Sequence, residues 1–394
     1  MIQKITIRNF KSLVDIDISL QKFNCFVGMN SAGKSTILQA IDFISQQMKG
    51  MLYSWLEDRS WESKDLYSRV ITKGSLQLLF IEVIYKLDSE QLIWRGHFNR
   101  NLMRMTHESI HIDQKMHLEV QEGKYRTHNK GYESIPFEYT GSILSALKDN
   151  MISPEIIRFR DSLKNIRSLE LLSPNLLRKR SRSEFKPSGV GIGGEKLSGY
   201  IDTLTSENKS NLLSILRKFY PQIDRFRIST LKGGWKRLIV EEKFIDQNGN
   251  IVTCETDAGQ LNDGLLRILA IMAQLESQEE TLLLLDEIEN GINPQIIEKL
   301  VDFLVDAKTQ IIVTTHSPMI LNYLDDDVAR KGVQFVYKSP QGHTRIRRFF
   351  DIKRINDKLS VMGPGEAFID TDLQILTQEN IELDEKSSSF NKDL

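Results

Sequence analysis

Cysteine is scarce. Cys25 and Cys254 are the only two in 394 residues, too few for a disulfide framework and without metal-ligand spacing, which points to a reducing, cytoplasmic setting. Long hydrophobic runs are missing as well. The most apolar stretches, Ile268–Leu275 and Thr281–Leu285, fall far short of the roughly 20 residues a bilayer-crossing helix needs, so no membrane partner is expected. The N-terminus, MIQKITIRNFKSL, lacks the apolar centre of a secretory signal and reads as a strand. No excess of charge exists either: 52 Lys and Arg face 53 Asp and Glu, a net charge of −1, so any binding of nucleic acid or anionic lipid must use a local patch. No internal repeat of a solenoid or propeller is visible. What is present is a composition with 40% hydrophobic and 27% charged residues, which excludes disorder and fibrous classes. The length exceeds one compact domain and implies a large unit with an added lobe.

Alternation of Ile5 with Ile7 and of Ile16 with Ile18, followed by the apolar run Phe23–Val27, predicts three strands before a glycine-rich turn and a helix. From about Leu76 the period-two pattern returns in LQLLFIEVIYKL, LIWRGHFNR and HIDQKMHLEV, a β-rich lobe in which Trp55, Trp61 and Trp94 are core candidates. Between Pro136 and Arg225 helical spacing takes over in SILSALKDN, SPEIIRFRDSLKNI and NKSNLLSILRKFY. Strands are expected again at FRIST, KRLIVEEKF and IVTCET, with Asn248-Gly249 as a hairpin turn. From Gly264 onward apolar strands alternate with helices, the pattern of a parallel sheet covered on both faces. A hairpin of VQFVYK and HTRIRRFF follows, and the polar tail from Gln378 to Leu394 is expected to fray.

Residues 28–35 read GMNSAGKS and match G-x-x-x-x-G-K-[ST] at each fixed position, between a strand and a helix. The requirement is physical: glycines let backbone N–H groups turn inward around phosphate oxygens, and a helix N-terminus adds partial positive charge. Gly28, Asn30, Ser31, Ala32, Gly33 and Thr36 are therefore phosphate-cradle candidates, Lys34 a point charge for the β- and γ-phosphates, and Ser35 a Mg²⁺ ligand. Far along the chain, Asp286 closes the apolar strand of LLLLDEIENG, where a carboxylate reaches the carboxyl edge of a sheet and can hold the same Mg²⁺. Glu287 follows on the other side of the strand end, suited to act as base or orienting group for water. His316, after the strand of IIVTTHSP, belongs to the same type of edge and is a candidate γ-phosphate sensor.

In that order, and with a long insertion between the first two, GMNSAGKST, LNDGLLRILA, LLLLDEIENGINP and IIVTTHSP resemble the ABC-type ATPase heads of the RecF, SMC and OLD group. The likeness is to compact single-chain AAA-family ATPases of bacterial genomes, many of them in anti-phage defence systems. The resemblance implies an α/β P-loop NTPase of ABC-ATPase type, its head split over residues 1–50 and 226–370. A β-rich lobe at 51–135, a helical insertion at 136–225 and a tail at 371–394 complete the expected organisation. It also gives LNDGLLR the role of the ABC signature, so that Asn262, Asp263 and Gly264 close over ATP bound by a partner subunit. Asn262 stands where transporter signatures have serine, and Asp263 where they have glycine; an ordinary helix cap is the alternative for this segment. Asn293 in GINP is a candidate for a cross-interface contact, and Gln77 is one of several Q-loop candidates. The short stretch after Phe350 leaves no room for the TOPRIM nuclease of OLD relatives, so none is expected.

The implied cofactors are ATP and Mg²⁺, and the implied assembly is a homodimer, or higher homo-oligomer, with ATP between two heads. A separate effector protein, and DNA or RNA, are candidate partners. RKRSR at Arg178 to Arg182, and HTRIRR with Lys353 and Arg354, are the basic clusters that would meet phosphate backbones. The leading expectation is an ATPase with Glu287 and His316 as catalytic candidates, serving defence or DNA repair. An ATP-gated scaffold that does not hydrolyse is the alternative, and a transporter engine a third.

Overall fold

The computed structural model describes residues 1–70, 78–127, 130–184, 189–276 and 281–390. In chain order the elements begin with β1 (Ile2–Phe10), β2 (Leu13–Ser19), β3 (Phe23–Val27), α1 (Lys34–Lys49) and α2 (Leu52–Glu57). Strands β4 (Leu79–Leu87), β5 (Glu90–Asn99), β6 (Arg104–Ile112), β7 (Lys115–Gln121), β8 (Lys124–Thr127) and β9 (Glu133–Ser134) follow, then α3 (Pro154–Lys164). Next come β10 (Ile166–Leu169), α4 (Pro174–Leu177), β11 (Ser181–Arg182), α5 (Leu197–Thr203), α6 (Ser206–Phe219), β12 (Ile223–Thr230), β13 (Trp235–Ile245) and β14 (Ile251–Asp257). The remainder is α7 (Asp263–Glu276), β15 (Leu282–Leu285), α8 (Pro294–Asp306), β16 (Gln310–Thr314), α9 (Pro318–Asn322), α10 (Asp326–Gly332), β17 (Val333–Lys338), β18 (Thr344–Arg348), α11 (Lys353–Lys358), α12 (Pro364–Ile369) and α13 (Leu373–Phe390).

Two compact units divide the chain, one formed by Met1–Ile166 with Thr314–Leu394 and the other by Arg167–Val313. In the first, an eight-stranded antiparallel sheet runs β2-β1-β4-β5-β6-β7-β8-β9. Strict alternation in β4 (Leu79, Ile81, Val83, Tyr85 and Leu87 buried) sets which face is inward. Phe43 of α1 packs on that face against Phe10 at 5.6 Å, Trp55 at 5.5 Å and, edge-on, Phe98 at 5.2 Å. Burial of each such ring is worth about 1.5–3 kcal/mol, so the aromatic cluster fixes α1 and with it the loop at its start. Beneath it the Asp42 carboxylate accepts from Trp55 Nε1 (2.6 Å) and Arg59 Nη2 (2.8 Å), which satisfies an otherwise costly buried charge. In the same unit β3, buried throughout, pairs in parallel with β17, Phe26 level with Gln334, and β17 forms the expected hairpin with β18.

The second unit holds the antiparallel group β11, β12, β13 and β14 and the parallel pair β15 and β16, with Leu285 level with Val313. Helix α8 buries Ile297, Leu300, Val301 and Leu304, one helical stripe, whereas α7 is buried almost all round and is a core helix.

Two expectations fail. SILSALKDN forms no α-helix; it makes one-turn 3-10 segments at Ile143–Ser145 and Asp149–Met151. Its backbone is committed elsewhere, with Ser142 N donating to Gln47 O (3.0 Å) and Ile143 N to the Glu108 carboxylate (2.9 Å). The tail expected to fray is helical through Phe390, because Leu376 and Ile381 are buried and Asp384 accepts from both Tyr337 Oη (2.7 Å) and Arg347 (2.8 Å). HIDQKMHLEV is also divided, by a turn at Asp113 and Gln114, both at positive φ, between β6 and β7. Gln77, a Q-loop candidate, lies outside the described residues.

Candidate functional site

In the first unit, β3 delivers the chain at Val27 into a loop that only glycine can build at two points. Gly28 has φ 147° and an added Cβ would sit 2.1 Å from Val336 O; Gly33 has φ 111° and its Cβ would meet Thr344 Oγ1 at 2.2 Å. Ser31 takes the left-handed conformation between them, at φ 62°. Thr344, wholly buried at the start of β18, braces the loop from outside: its hydroxyl donates to Ala32 O at 2.9 Å and lies 2.8 Å from Ser12 Oγ. Lys34, also buried, turns its Nζ back into the loop, donating to Gly28 O (2.9 Å) and Met29 O (3.1 Å).

Helix α1 begins at Lys34 with no side-chain cap and no acidic residue in its first turn. Its leading N–H groups and the Lys34 ammonium form a positive, concave end, and the loop is the kind of cradle an anionic phosphate fits. Ser35 and Thr36 lie half-buried in that first turn, and Asn30 and Ser31 are exposed at the rim.

His316 belongs to the same unit and comes to the same loop. Thr315 N donates to Phe26 O at 3.2 Å, which sets the segment beside β3, and His316 Nδ1 lies 3.5 Å from Lys34 Nζ. The segment is held from behind by α12, which packs on α9. A Cβ on Gly365 would come within 2.3 Å of Asn322 Oδ1 and 2.4 Å of Pro318 O, so the glycine of MGPGEAF is what lets α12 sit flush against the helix after His316.

In the second unit, Asp286 is half-buried at the end of β15 and Glu287 is exposed, with φ 48°. A left-handed conformation at a non-glycine residue costs of order 1–3 kcal/mol and persists where the surroundings over-determine it. Asn262 Oδ1 accepts from Leu265 N at 2.8 Å, the bond of a helix N-cap on α7. Asp263 is ion-paired with Arg178, whose Nη2 also donates to Leu261 O at 2.8 Å. Gly264 packs against the peptide of Gly291, 2.9 Å from its would-be Cβ to Gly291 O. Asn293 caps α8 through Gln295 N at 3.0 Å.

A AAA ATPase domain family matches residues 1–172, and a second AAA domain family, described by the AbiEii toxin of type IV TA systems, matches 253–322. The chain is similar to an ATP/GTP phosphatase of Helicobacter pylori, 23% identical over 351 residues, 84% of this chain and 89% of that protein. It is 46% identical over 44 residues to an OLD nuclease of Thermus scotoductus, 11% of this chain but only 8% of that enzyme. An SMC head solved with the C-terminal winged-helix domain of ScpA superposes with a TM-score of 0.50 at 17% identity, over 88% of this chain and 96% of that one. An Smc head derived from Pyrococcus furiosus, with an extended coiled coil and the C-terminal domain of ScpA, does so at 0.50 and 14%, over 91% and 99%. These structural likenesses establish the fold. The chain has the fold of ABC-type SMC ATPase heads and carries matches to two AAA domain families.

The first unit also holds a cavity that no sequence motif announces. At the β1–β2 turn, in the first unit, lies a cavity of about 500 Å³ lined by Lys11, Ser12, Trp61, Tyr67, Arg69 and Lys338, among others. Lys11 Nζ sits 3.0 Å from the Trp61 ring centroid and donates to Gln39 Oε1 at 3.0 Å. Trp55 and Trp94 are buried core residues, whereas Trp61 faces this cavity. Only tertiary folding brings β1–β2, Trp61 and Lys338 together, so no local pattern announces it. The basic clusters are largely engaged within the protein. Arg178 serves Asp263, Arg182 stacks over Trp235 at 5.1 Å, Arg347 pairs with Asp384, and Arg354 with Glu379. Among the described residues no group of three or more His, Cys, Asp or Glu could hold a metal by itself, and no helix is long and apolar enough to cross a membrane.

Proposed function

We propose that this ATPase binds ATP with Mg²⁺ at the Gly28–Thr36 loop and hydrolyses it, and that the nucleotide drives two heads together. The observation that carries the reading is the Lys34 ammonium, buried inside an acid-free helix start and 3.5 Å from His316 Nδ1. In this reading the loop amides and Lys34 bind the β- and γ-phosphates, His316 senses the γ-phosphate, and Glu287 orients and deprotonates water. The cavity at Lys11 and Trp61, within the 300–1,000 Å³ range of small-molecule sites, takes the nucleoside.

Ser35 and Asp286 would hold Mg²⁺, which supplies charge neutralisation at the transferring phosphoryl group. A metal that relies on few protein ligands and on substrate phosphates fits a chain whose described residues contain no metal cluster of their own.

The signature Asn262–Gly264 would close over the partner's nucleotide, as in the SMC-type architecture whose fold this chain shares. ATP, with contacts to both heads that ADP lacks, would then act as a dimerisation switch. That switch would control a separate effector or a response to nucleic acid, in defence or DNA repair.

Glu287→Gln tests the enzymatic reading. Hydrolysis should fall at least about 100-fold, with the protein accumulating as an ATP-bound dimer in size-exclusion chromatography. A variant that assembles with ATP as the parent does, while the parent itself shows no turnover, would favour the non-hydrolysing scaffold.

A further inference from the structure

Signature helix α7 and the Glu287 peptide are joined by one side chain. Arg267 lies one turn into α7 after Gly264, and its guanidinium reaches Glu287 O from Nη1 (3.4 Å) and Leu172 O from Nη2 (3.0 Å). The Glu287 carbonyl also accepts from Asn290 N at 3.0 Å, so two donors fix the peptide that follows its left-handed φ of 48°. Close packing reinforces the link, because Gly264 abuts Gly291 O just beyond.

Nearby carboxylates partly offset the cost of burying this charge. Burial pulls the Arg267 guanidinium below its usual range, against the carboxylates of Glu287, Asp263, Glu289 and Asp286, which pull the other way. A planar fork that donates to two carbonyls amid four carboxylates is a task for arginine that lysine cannot duplicate.

We propose that Arg267 is a positioning residue: it holds the backbone of Glu287 in the conformation that aims its carboxylate, and it ties that aim to the signature helix. Movement of α7 as the signature closes on a partner's nucleotide would therefore be felt by the chain's own Glu287. The inference rests on the proposed role of Glu287 in hydrolysis.

The test compares Arg267→Met and Arg267→Lys in the full chain. Arg267→Met should lower kcat for ATP about tenfold or more and leave the ATP Kd within about twofold, since misaiming a catalytic group costs rate rather than affinity. Arg267→Lys should fall between it and the parent. In nucleotide-free protein, hydrogen exchange at the Asn290 and Ile292 amides should quicken in both. Placed in a Glu287→Gln background, Arg267→Met should cost no further turnover, whereas a generally structural role would subtract again.

Parental kcat in Arg267→Met, an additive loss in the double variant, or unchanged exchange would each overturn the inference. If Arg267→Met fails to fold, Arg267→Lys decides by the same readouts, and parental kcat there overturns it. Parental turnover in Glu287→Gln alone would instead sink the role of Glu287, while the exchange measurement still judges whether Arg267 fixes that peptide.

Discussion

Thr344→Val removes one hydroxyl from beneath the phosphate-binding loop and changes almost nothing else in shape. The hydroxyl donates to Ala32 O at 2.9 Å, meets Ser12 Oγ at 2.8 Å, and is wholly buried. Leaving a buried carbonyl without its donor costs about 1–3 kcal/mol. That cost falls on the loop conformation with Ser31 and Gly33 at positive φ, which must be populated before phosphate can bind. If the competent conformation is disfavoured by this amount, the apparent ATP affinity falls by roughly 5- to 150-fold. Titration with a fluorescent ATP analogue measures it directly. Thr344→Ser, which keeps the hydroxyl, should stay within about threefold of the parent. Equal affinities for Val and the parent would refute the idea that Thr344 braces the loop, and a Ser variant as weak as Val would shift the role to the lost methyl group.

Other substitutions separate binding, aim and stability. Lys34→Met should abolish measurable ATP binding in the same titration, a loss of at least about 100-fold, because the ammonium's charge-assisted bonds disappear. Gly365→Ala places a Cβ 2.3 Å from Asn322 Oδ1, so it should cost about 1–3 kcal/mol in denaturant unfolding and lower kcat through displacement of the His316 segment; an unaffected rate would uncouple α12 from the site. Glu108 is fully buried among Trp94 Nε1, Ser142 Oγ and Ile143 N, and burial raises its carboxyl above the usual 4.5. A raised folded value means its stabilising contribution is present below the unfolded value and lost as pH climbs through the folded one. The stability advantage of the parent over Glu108→Gln should therefore shrink from pH 4.5 upward in urea titrations, and a constant or widening gap would contradict it.

The parts of the molecule that were legible in the sequence are those whose signal is local. GMNSAGKS carries its turn, helix start and lysine within eight residues, and LLLLDE carries a buried strand with its acidic end, so both could be placed without knowing what packs on them. The alternation of Leu79 to Leu87 likewise reports its own burial. What escaped depends on partners distant in the chain. Residues 142 and 143 read as helical, yet Gln47 and Glu108 take their amides. The tail is polar, yet Tyr337 and Arg347 hold Asp384. Arg178 read as one charge of a basic run, and its meaning changes once Asp263 is seen at its guanidinium. The Lys11–Trp61 cavity is assembled from three separate stretches, none of them distinctive alone.

Ser35, at the head of α1, and Asp286, at the end of β15, are proposed to serve one metal ion on the triphosphate. Mn²⁺ replaces Mg²⁺ conservatively and reports its own binding by electron paramagnetic resonance. The measurement is ATP-dependent Mn²⁺ affinity in the parent, Ser35→Ala, Asp286→Asn and the double variant. A shared ion predicts tight Mn²⁺ only with ATP, weakened in each single variant, and a double variant much less impaired than the two losses summed. Full affinity in Asp286→Asn, or strictly additive losses, would show that the two residues do not hold the same metal.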